Sequence, residues 1–453
     1  MSPPRTPGLQ PQAAGNVPIG SYVVKVASRC NLNCNYCYVY NKGDDSFRSQ
    51  PPVMDRATVS ALLSRVLTYN QEQKLRRVMF VFHGGEPLLA GEEFFRYFVR
   101  EAAAVFRGRV KPSYSMQTNG TLLNQDWYAL FRELKISFGV SLDGPPEVND
   151  RSRVTHSGAG SYSQVRRALE PALTDARLRR LFDGILTVID LRADPIETYR
   201  HWREIGISRC DFLLPDGTHD NPPSGMSGTE TPYAEWLIRV FDEWFERQDT
   251  KLSIRIFENI ISLLFDPQGG MDSLGGVKNG LLVIETDGGI EPVDVLKICG
   301  PAFTKLGLNV HRNEIRDAYS SNLVQLYQQG EAKVCETCSA CPALAVCGGG
   351  YLPHRYSRLN GFSNPSVYCQ DLMRLITHIR SRVLATNPAK LRRKLAMHPF
   401  AYEDLRRTRR RVVEPSLPNG IWAGGTASPL KIWGGRRESN PQPSEPQSDA
   451  LPS

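Results

Sequence analysis

Strand-like and helix-like segments alternate along this chain, and the alternation constrains its fold more than any other feature. Six short apolar runs have the length and composition of buried strands, at 21–27, 77–84, 113–120, 137–144, 184–190 and 209–217. Amphipathic helical patterns separate them, such as 55–69, which begins behind a predicted N-cap at Asp55. Repeated strand–helix units form parallel sheets. We therefore predict an α/β fold in which six units form a partial (β/α)6 TIM-like barrel.

The ends of the predicted strands carry residues that are suited to chemistry. The first strand leads into "CNLNCNYC" (30–37), and others end at "HGGEP", "QTNG", "SLDGP" and "LPDGTHD". Gly, Asn and Asp are ordinary turn residues after a strand, but turn formation does not explain the cysteines or Glu86. Because active sites of such barrels lie at the C-terminal strand ends, we predict the active site there.

The remainder of the chain divides into further regions. The prediction is a disordered leader at 1–20, the barrel at 21–223, a bridging region with a hairpin at 224–298, a small loop-rich Cys-rich domain at 299–385, a basic helical segment at 386–412 and a disordered tail at 413–453. Within the tail, "ESNP" (438–441) matches translation of the complement of a transfer-RNA T-loop. We interpret the tail as read-through and assign it no function.

Ten cysteines in a chain with no recognisable signal peptide indicate metal binding in a cytoplasmic protein rather than disulfides. No apolar run reaches the ~18 residues of a membrane helix, so no membrane partner is expected. The net charge of +8 arises in residues 371–453, which hold 15 Lys/Arg and 7 Asp/Glu, whereas 1–370 are neutral. A terminal basic run is usually solvated, so we expect no nucleic-acid partner.

Cys30, Cys34 and Cys37 form a triplet where a closed structural site would have four thiols. A four-iron cluster is normally held by four thiolates, so three leave one iron open to a substrate or cofactor. The same logic separates catalytic from structural zinc sites. Alternative interpretations are half of a zinc site or scattered core thiols.

The spacing Cys-x3-Cys-x2-Cys after a first strand, with Tyr36 before the last cysteine, resembles the radical SAM superfamily. The resemblance implies a [4Fe-4S] cluster whose open iron chelates S-adenosylmethionine (SAM), reductive formation of a 5′-deoxyadenosyl radical, and an external electron donor of flavodoxin or ferredoxin type. It assigns cofactor contacts to Tyr36 at the adenine, to Gly84, Gly85 and Glu86 at the SAM amino group, and to Ser141 and Arg153 at the ribose and carboxylate. A surface ion pair is the alternative for Arg153.

The second cysteine group resembles a SPASM domain, which carries auxiliary iron–sulfur clusters. The matching ligands of its outer cluster are Cys338, Cys341, Cys347 and Cys369, with structural zinc as the alternative. Two cysteines expected for the inner cluster are replaced by Val293 and Tyr351, which leaves Cys299 and Cys335 as candidate ligands. We predict at least one auxiliary [4Fe-4S] cluster, and a core position for Cys210.

Three stretches, "CYVYNKGDDSFRSQPPVM", "DFLLPDGTHDNPP" and "GFSNPSVYCQDL", resemble maturases that build cyclophane crosslinks in ribosomal precursor peptides. The resemblance implies hydrogen abstraction from a peptide side chain and carbon–carbon bond formation. Asp216 and His219 are the predicted catalytic proton acceptors, with Asp211 and Asp220 beside them, although all four also suit turns and caps. Alternatives are sulfatase maturation to formylglycine, thioether formation, or a zinc-stabilised binding module without catalysis.

Overall fold

The computed structural model describes residues 16–226, 230–276, 278–329, 334–386 and 402–403. These residues fall in one compact unit, whereas a second unit, 414–453, lies outside the described residues. The predicted tail, nearly all of the basic segment 386–412 and most of the predicted leader also lie outside them.

A parallel sheet at the centre of the molecule confirms the predicted α/β architecture. Its strands are β1 (Ser21–Ala27), β2 (Arg77–Gly84), β3 (Lys111–Thr118), β4 (Ile136–Ser141), β5 (Phe182–Val188), β6 (Arg209–Leu213) and β7 (Ser253–Ile254). Each strand pairs in parallel with the next along the chain, so the six predicted units stand side by side. Their C-terminal ends therefore meet at one edge.

Strands from the bridging region and from the start of the Cys-rich region extend this sheet on the other side of β1. The later strands are β8 (Gly270–Met271), β9 (Leu274–Gly275), β10 (Leu281–Ile284), β11 (Gly289–Glu291) and β12 (Leu308–Asn309). β10 pairs in parallel with β1, and β11 and β12 follow in antiparallel pairs. The strand order is β12-β11-β10-β1-β2-β3-β4-β5-β6-β7, so the sheet is open and β1 is an interior strand. β8 and β9 form a separate hairpin.

Helices lie between and after the strands. They are α1 (Arg56–Glu72), α2 (Glu92–Phe106), α3 (Gln125–Leu134), α4 (Pro146–Asn149), α5 (Tyr162–Thr174), α6 (Ala176–Arg179), α7 (Pro195–Glu204), α8 (Pro232–Glu246), α9 (Arg255–Phe265), α10 (Asn322–Gln329), α11 (Glu336–Ser339), α12 (Leu344–Cys347) and α13 (Cys369–Thr386). The Asp55 carboxylate accepts from the Thr58 amide at 2.7 Å, which confirms the predicted N-cap of α1. No described helix is long and apolar enough to cross a membrane.

Aromatic side chains form the core between the sheet and its helices. Phe82 of β2 stacks on Tyr114 of β3 with ring centroids 5.9 Å apart, and contacts Phe98 of α2 edge-on at 5.0 Å. Burial of each such ring contributes about 1.5–3 kcal/mol. This packing gives the strand ends a rigid base, which a site built from loops requires.

Candidate active site

The cysteine triplet lies on the loop that follows β1, and backbone amides point at its sulfurs. The Leu32 amide donates to Cys30 Sγ at 3.4 Å, and the Val39 and Tyr40 amides donate to the Cys37 thiol. Burial raises the pKa of Cys30 to about 12, and the Leu32 amide opposes this rise. Amide–sulfur hydrogen bonds stabilise thiolates and tune iron–sulfur clusters, so the loop suits a cluster.

Two glycines allow the cysteine loop to lie directly against the end of β2. The Gly85 amide donates to the Ala27 carbonyl at 2.8 Å, and the Glu86 amide donates to the Arg29 carbonyl at 2.9 Å. A Cβ at Gly84 would lie 2.0 Å from the Ala27 oxygen, and one at Gly85 would lie 2.3 Å from the Arg29 oxygen. Both positions therefore require glycine.

Glu86 occupies a different place from the one its motif suggests. Its side chain is fully buried and accepts from the Leu88 amide at 3.0 Å, from Thr118 Oγ1 at 2.7 Å and from the Asn119 amide at 2.7 Å. The carboxylate thus fixes the turn after β2 against the end of β3. Gly84 and Gly85 line the cavity, whereas the Glu86 oxygens accept hydrogen bonds from the protein; the contact of this motif with the SAM amino group stays a prediction.

The ends of β3 and β4 supply amide and hydroxyl groups to the same cavity. Asn119 Nδ2 donates to Cys30 Sγ at 3.7 Å and to Asn31 Oδ1 at 2.9 Å. Gln117 Nε2 donates to Ser141 Oγ at 2.9 Å, and both side chains line the cavity. Ser141 therefore lines the same cavity as the cysteines. Its contact with SAM stays a prediction.

Arg153 is buried, contrary to its interpretation as a surface ion pair. Its Nη1 donates to the Tyr36 hydroxyl at 2.7 Å, and that hydroxyl donates to Asp143 Oδ2 at 2.5 Å. Although burial opposes its charge, Tyr36, Cys34 and Asp143 raise the pKa of Arg153 above its ordinary value. Arg153 Nε makes no hydrogen bond within the described residues. This network places an unsatisfied donor beside the cysteines, as a carboxylate-bearing cofactor requires.

A second polar network lies on the other side of the triplet. Lys25 of β1 forms an ion pair with Asp294, whose Oδ2 also accepts from the Tyr38 hydroxyl at 2.6 Å. His83 Nδ1 lies 3.2 Å from Lys25 Nζ, and burial and Lys25 lower the pKa of His83 to about 4. At neutral pH this network therefore contains a neutral imidazole and a satisfied ion pair.

The cavity that these groups line has a volume of about 370 Å³ and opens at the C-terminal ends of β1–β6. That volume is within the range of small-molecule sites. Its far wall carries Asp211, Asp216, Arg255, Asp272, Tyr351 and His354. Tyr351 and His354 come from the Cys-rich region, so both the barrel and the last third of the chain form the cavity.

The four polar residues in and after β6 separate into two pairs. Asp211 lies in the cavity wall, where Arg255 Nε donates to its Oδ2 at 2.7 Å, and Asp216 lies beside His354. His219, predicted to be catalytic, instead faces the Pro365 carbonyl with Nε2 at 2.8 Å, and Asp220 accepts from the Arg358 amide at 2.8 Å. His219 is absent from the cavity wall because its ring fastens this loop to the Cys-rich region.

The second cysteine group is brought together around α11 and α12. Cys338 lies close enough to Cys335, Cys347 and Cys369 for their charges to interact, and Cys347 interacts with Cys341. The Gly349 and Gly350 amides donate to the Cys347 thiol, as amides do in iron–sulfur sites. No three His, Cys, Asp or Glu side chains of the described chain are placed to hold a single metal ion. The thiols of one cluster bind different irons and lie further apart.

Cys299, a candidate ligand of an inner cluster, lies in a separate apolar group. That group includes Val293, Leu296, Tyr327 and Leu352, with Tyr351 packed against it. Burial, with the Asp220 carboxylate, raises the pKa of Cys299 to about 12. The positions expected to hold inner-cluster thiols are thus filled by apolar and aromatic side chains, and Cys335 lies with Cys338 instead.

We expect Cys299→Ala to leave the iron content of the reconstituted protein unchanged at about eight atoms, since two four-iron clusters account for that number. The matched variant Cys347→Ala should retain about four. Iron and sulfide are counted after anaerobic reconstitution. A loss of iron in Cys299→Ala comparable to that in Cys347→Ala would contradict this assignment.

Several cavity residues are not among those predicted from the sequence. Asn119 and Asp143 lie within "QTNG" and "SLDGP", so the strand-end rule could have identified them. Val188 at the end of β5 also lines the cavity, whereas the neighbouring Thr187 Oγ1 donates to the Leu142 carbonyl inside the core. His354 lies seven residues after Cys347, and no local pattern connects it with the barrel.

Comparison with known proteins agrees with this geometry. The profile of the radical SAM superfamily matches residues 24–205. The cysteine-type anaerobic sulfatase-maturating enzyme of Clostridium perfringens (strain 13 / Type A) is 25% identical over 372 residues, which cover 81% of this chain and 98% of that protein. A protein of Methanothermobacter thermautotrophicus is 30% identical over 218 residues, 48% of this chain and 76% of that protein. The structure of native anSMEcpe with bound AdoMet and Cp18Cys peptide superposes with a TM-score of 0.67 at 24% identity, covering 81% of this chain and 98% of that one.

The chain belongs to the radical SAM superfamily, and it is an enzyme. This excludes the interpretation as a zinc-stabilised module without catalysis. Its cofactors are SAM, the [4Fe-4S] cluster that binds it, and at least one auxiliary cluster. The residues fit these groups, because three thiols, sulfur-directed amides and an unsatisfied guanidinium nitrogen meet in one cavity.

Proposed function

We propose that the enzyme oxidises a side chain of a peptide segment held in the cavity, and that this oxidation is of the sulfatase-maturating type. Cys or Ser is converted to formylglycine. The observation that carries the proposal is the composition of the cavity, in which the cysteine triplet forms one wall and Tyr351 and His354 of the Cys-rich region form the other. The relatives support the proposal. One is a sulfatase-maturating enzyme, and the similar structure of anSMEcpe contains bound AdoMet and the Cp18Cys peptide.

When bound, the cluster and SAM supply a 5′-deoxyadenosyl radical that removes one hydrogen atom from the substrate β-carbon. The chain's own residues provide the rest. Cys30, Cys34 and Cys37 would hold the cluster, and the Tyr36–Asp143–Arg153 network would hold SAM. The substrate must also lose one proton and one electron. Cys338, Cys341, Cys347 and Cys369 would hold an auxiliary cluster, the class of one-electron acceptor that this step requires. An external flavodoxin- or ferredoxin-type donor delivers the reducing electron.

Formation of a cyclophane crosslink is the second candidate, and one observation favours it. Two of the three stretches that resemble cyclophane maturases are in direct contact beside the cavity. The Tyr368 hydroxyl donates to the Pro215 carbonyl at 2.6 Å, and His219 Nε2 lies 2.8 Å from the Pro365 carbonyl. A ribosomal precursor peptide would then be the substrate, and its aromatic ring would take part in the new carbon–carbon bond.

Two peptide pools separate these functions. The anaerobically reconstituted enzyme receives SAM and reductant with synthetic peptides that contain Cys or Ser, or with peptides that contain aromatic residues but neither Cys nor Ser. We expect an aldehyde, trapped by a hydrazine probe, in the first pool. Loss of two hydrogens without aldehyde in the second pool would favour the crosslink. Cleavage of SAM with no change in either pool would overturn both.

A further inference from the structure

His354 is a buried histidine in the cavity wall whose ring nitrogen has no hydrogen-bond partner. The residue is 4% exposed, and its Nε2 makes no hydrogen bond to any other residue that the structure describes. An unsatisfied buried polar atom costs about 1–3 kcal/mol, so such an atom in an enzyme cavity calls for an explanation. A substrate group that hydrogen-bonds to Nε2 provides one.

Asp216 completes a pair with this ring. Its Oδ1 lies 3.6 Å from His354 Nε2, which is longer than a hydrogen bond but close enough to stabilise an imidazolium. The carboxylate side chain is 24% exposed and also lines the cavity. Since the two groups come from the loop after β6 and from the Cys-rich region, the pair exists only when both parts of the chain are folded together.

The imidazole is fixed in position by its surroundings. Its ring packs edge-to-face against Tyr351 at 5.3 Å and against Tyr368 at 5.0 Å between centroids. The His354 amide donates to the Tyr351 carbonyl at 3.0 Å, and the His354 carbonyl accepts from the Val367 amide at 2.8 Å. Reacting groups need this degree of fixation, because a small displacement of a base reduces its rate steeply.

The other carboxylates at the cavity already have strong partners. Asp143 accepts from the Tyr36 hydroxyl and lies beside Arg153, and Asp211 is paired with Arg255. Asp272 accepts from the Tyr327 hydroxyl. Outside the cavity lining, Asp294 is paired with Lys25, and although burial opposes ionisation, the Lys25 charge lowers the pKa of Asp294 well below its usual range. Burial raises the pKa of Asp143, Asp211 and Asp272 above their ordinary values, but each of them is engaged by a hydrogen bond or an ion pair with the protein, whereas His354 Nε2 has no hydrogen bond within the described part of the chain.

We propose that His354 is the catalytic base of this enzyme and that Asp216 stabilises its protonated form. The inference rests on the proposed function. A substrate Cys loses its β-hydrogen as an atom to the adenosyl radical, its thiol proton to His354 Nε2 and one electron to an iron–sulfur acceptor. The carbon–sulfur bond becomes double, and hydrolysis of this thioaldehyde gives formylglycine and hydrogen sulfide. For Ser, the same losses give the aldehyde directly.

The test compares His354→Gln and Asp216→Asn with the matched control His378→Gln, on the peptide of the first pool that the unmodified enzyme converts. His378 lies on α13, where its Nε2 is 2.8 Å from Asp242, and it is not part of the cavity wall. The measured quantity is the amount of aldehyde formed per 5′-deoxyadenosine, with the peptide deuterated at the β-carbon. Iron content and SAM binding of each variant are measured alongside.

We expect His354→Gln to lower aldehyde formation about 10²-fold, the usual contribution of a general base, while deuterium still reaches 5′-deoxyadenosine. Asp216→Asn should give a smaller loss of the same kind, and His378→Gln none. An unchanged aldehyde ratio in His354→Gln would overturn the inference, as would a loss of aldehyde strictly proportional to lost SAM binding. If His354→Gln does not retain iron, the aldehyde ratio of Asp216→Asn alone decides whether the inference holds. Failure of the unmodified enzyme on both pools would overturn the proposed function instead.

Discussion

Simultaneous replacement of Cys30, Cys34 and Cys37 by Ala should abolish SAM cleavage and reduce the iron content from about eight atoms to about four. The three thiols lie on one loop held to β2 by backbone hydrogen bonds, and no other cysteine belongs to that loop. Without them one cluster has no protein ligands, whereas the thiols around α11 and α12 are untouched. Iron, sulfide and 5′-deoxyadenosine are measured after anaerobic reconstitution.

Cys210→Ala is the matched control for this variant. Cys210 is 4% exposed in β6, within the main apolar core, and it should keep both its iron and its activity. Complete loss of iron in the triple variant would show that the two cysteine groups do not bind clusters independently. Persistent formation of 5′-deoxyadenosine in the triple variant would contradict the assignment of the triplet.

Arg153→Leu should produce the second large effect, a loss of about 3–5 kcal/mol of stability, the usual result of removing one partner of a buried ionic network. The substitution leaves the Asp143 carboxylate buried without its cation and removes the donor to the Tyr36 hydroxyl. SAM cleavage should also fall, because this network is the predicted cofactor contact. The denaturant midpoint of the cluster-free protein and SAM binding of the reconstituted protein are the measurements.

Arg151→Leu provides the comparison two residues earlier. Arg151 forms an ion pair with Asp190 at 3.5 Å, and its side chain is 31% exposed. Exposed pairs of this kind contribute about 0–1 kcal/mol, so the midpoint should shift little. Equal shifts in the two variants would mean that Arg153 is not part of a buried network.

Local patterns in the sequence predict the strands because the apolar residues that form each pattern are the residues that become buried when the strand forms. The bounds of β1 and β2 coincide with the predicted 21–27 and 77–84, and the Asp55 cap lies where the helical pattern begins. The cysteine triplet is predicted equally well, because its spacing is a property of one loop. These features depend on residues that are near one another in the chain.

Features that depend on distant contacts could not be predicted in the same way. Glu86 and His219 carry side chains that suit a ligand or a base, yet hydrogen bonds to Asn119 and Pro365 give them structural positions. His354 reaches the cavity only because the Cys-rich region packs against the barrel. A polar residue in a motif thus reveals its chemistry, whereas its partners are determined by the tertiary fold.

The interior position of β1 has a consequence for the synthesis of this protein. One edge of β1 pairs with β2, but the other pairs with β10, residues 281–284. At about 5–20 residues per second, a ribosome needs on the order of 10–50 s to translate the chain between them. Throughout that interval the strand has one unpaired edge, and the three thiols that follow it lack the wall that carries Tyr351 and His354. We therefore expect the cluster to be inserted after synthesis of the chain, because until then the nascent chain exposes these oxidation-sensitive thiols.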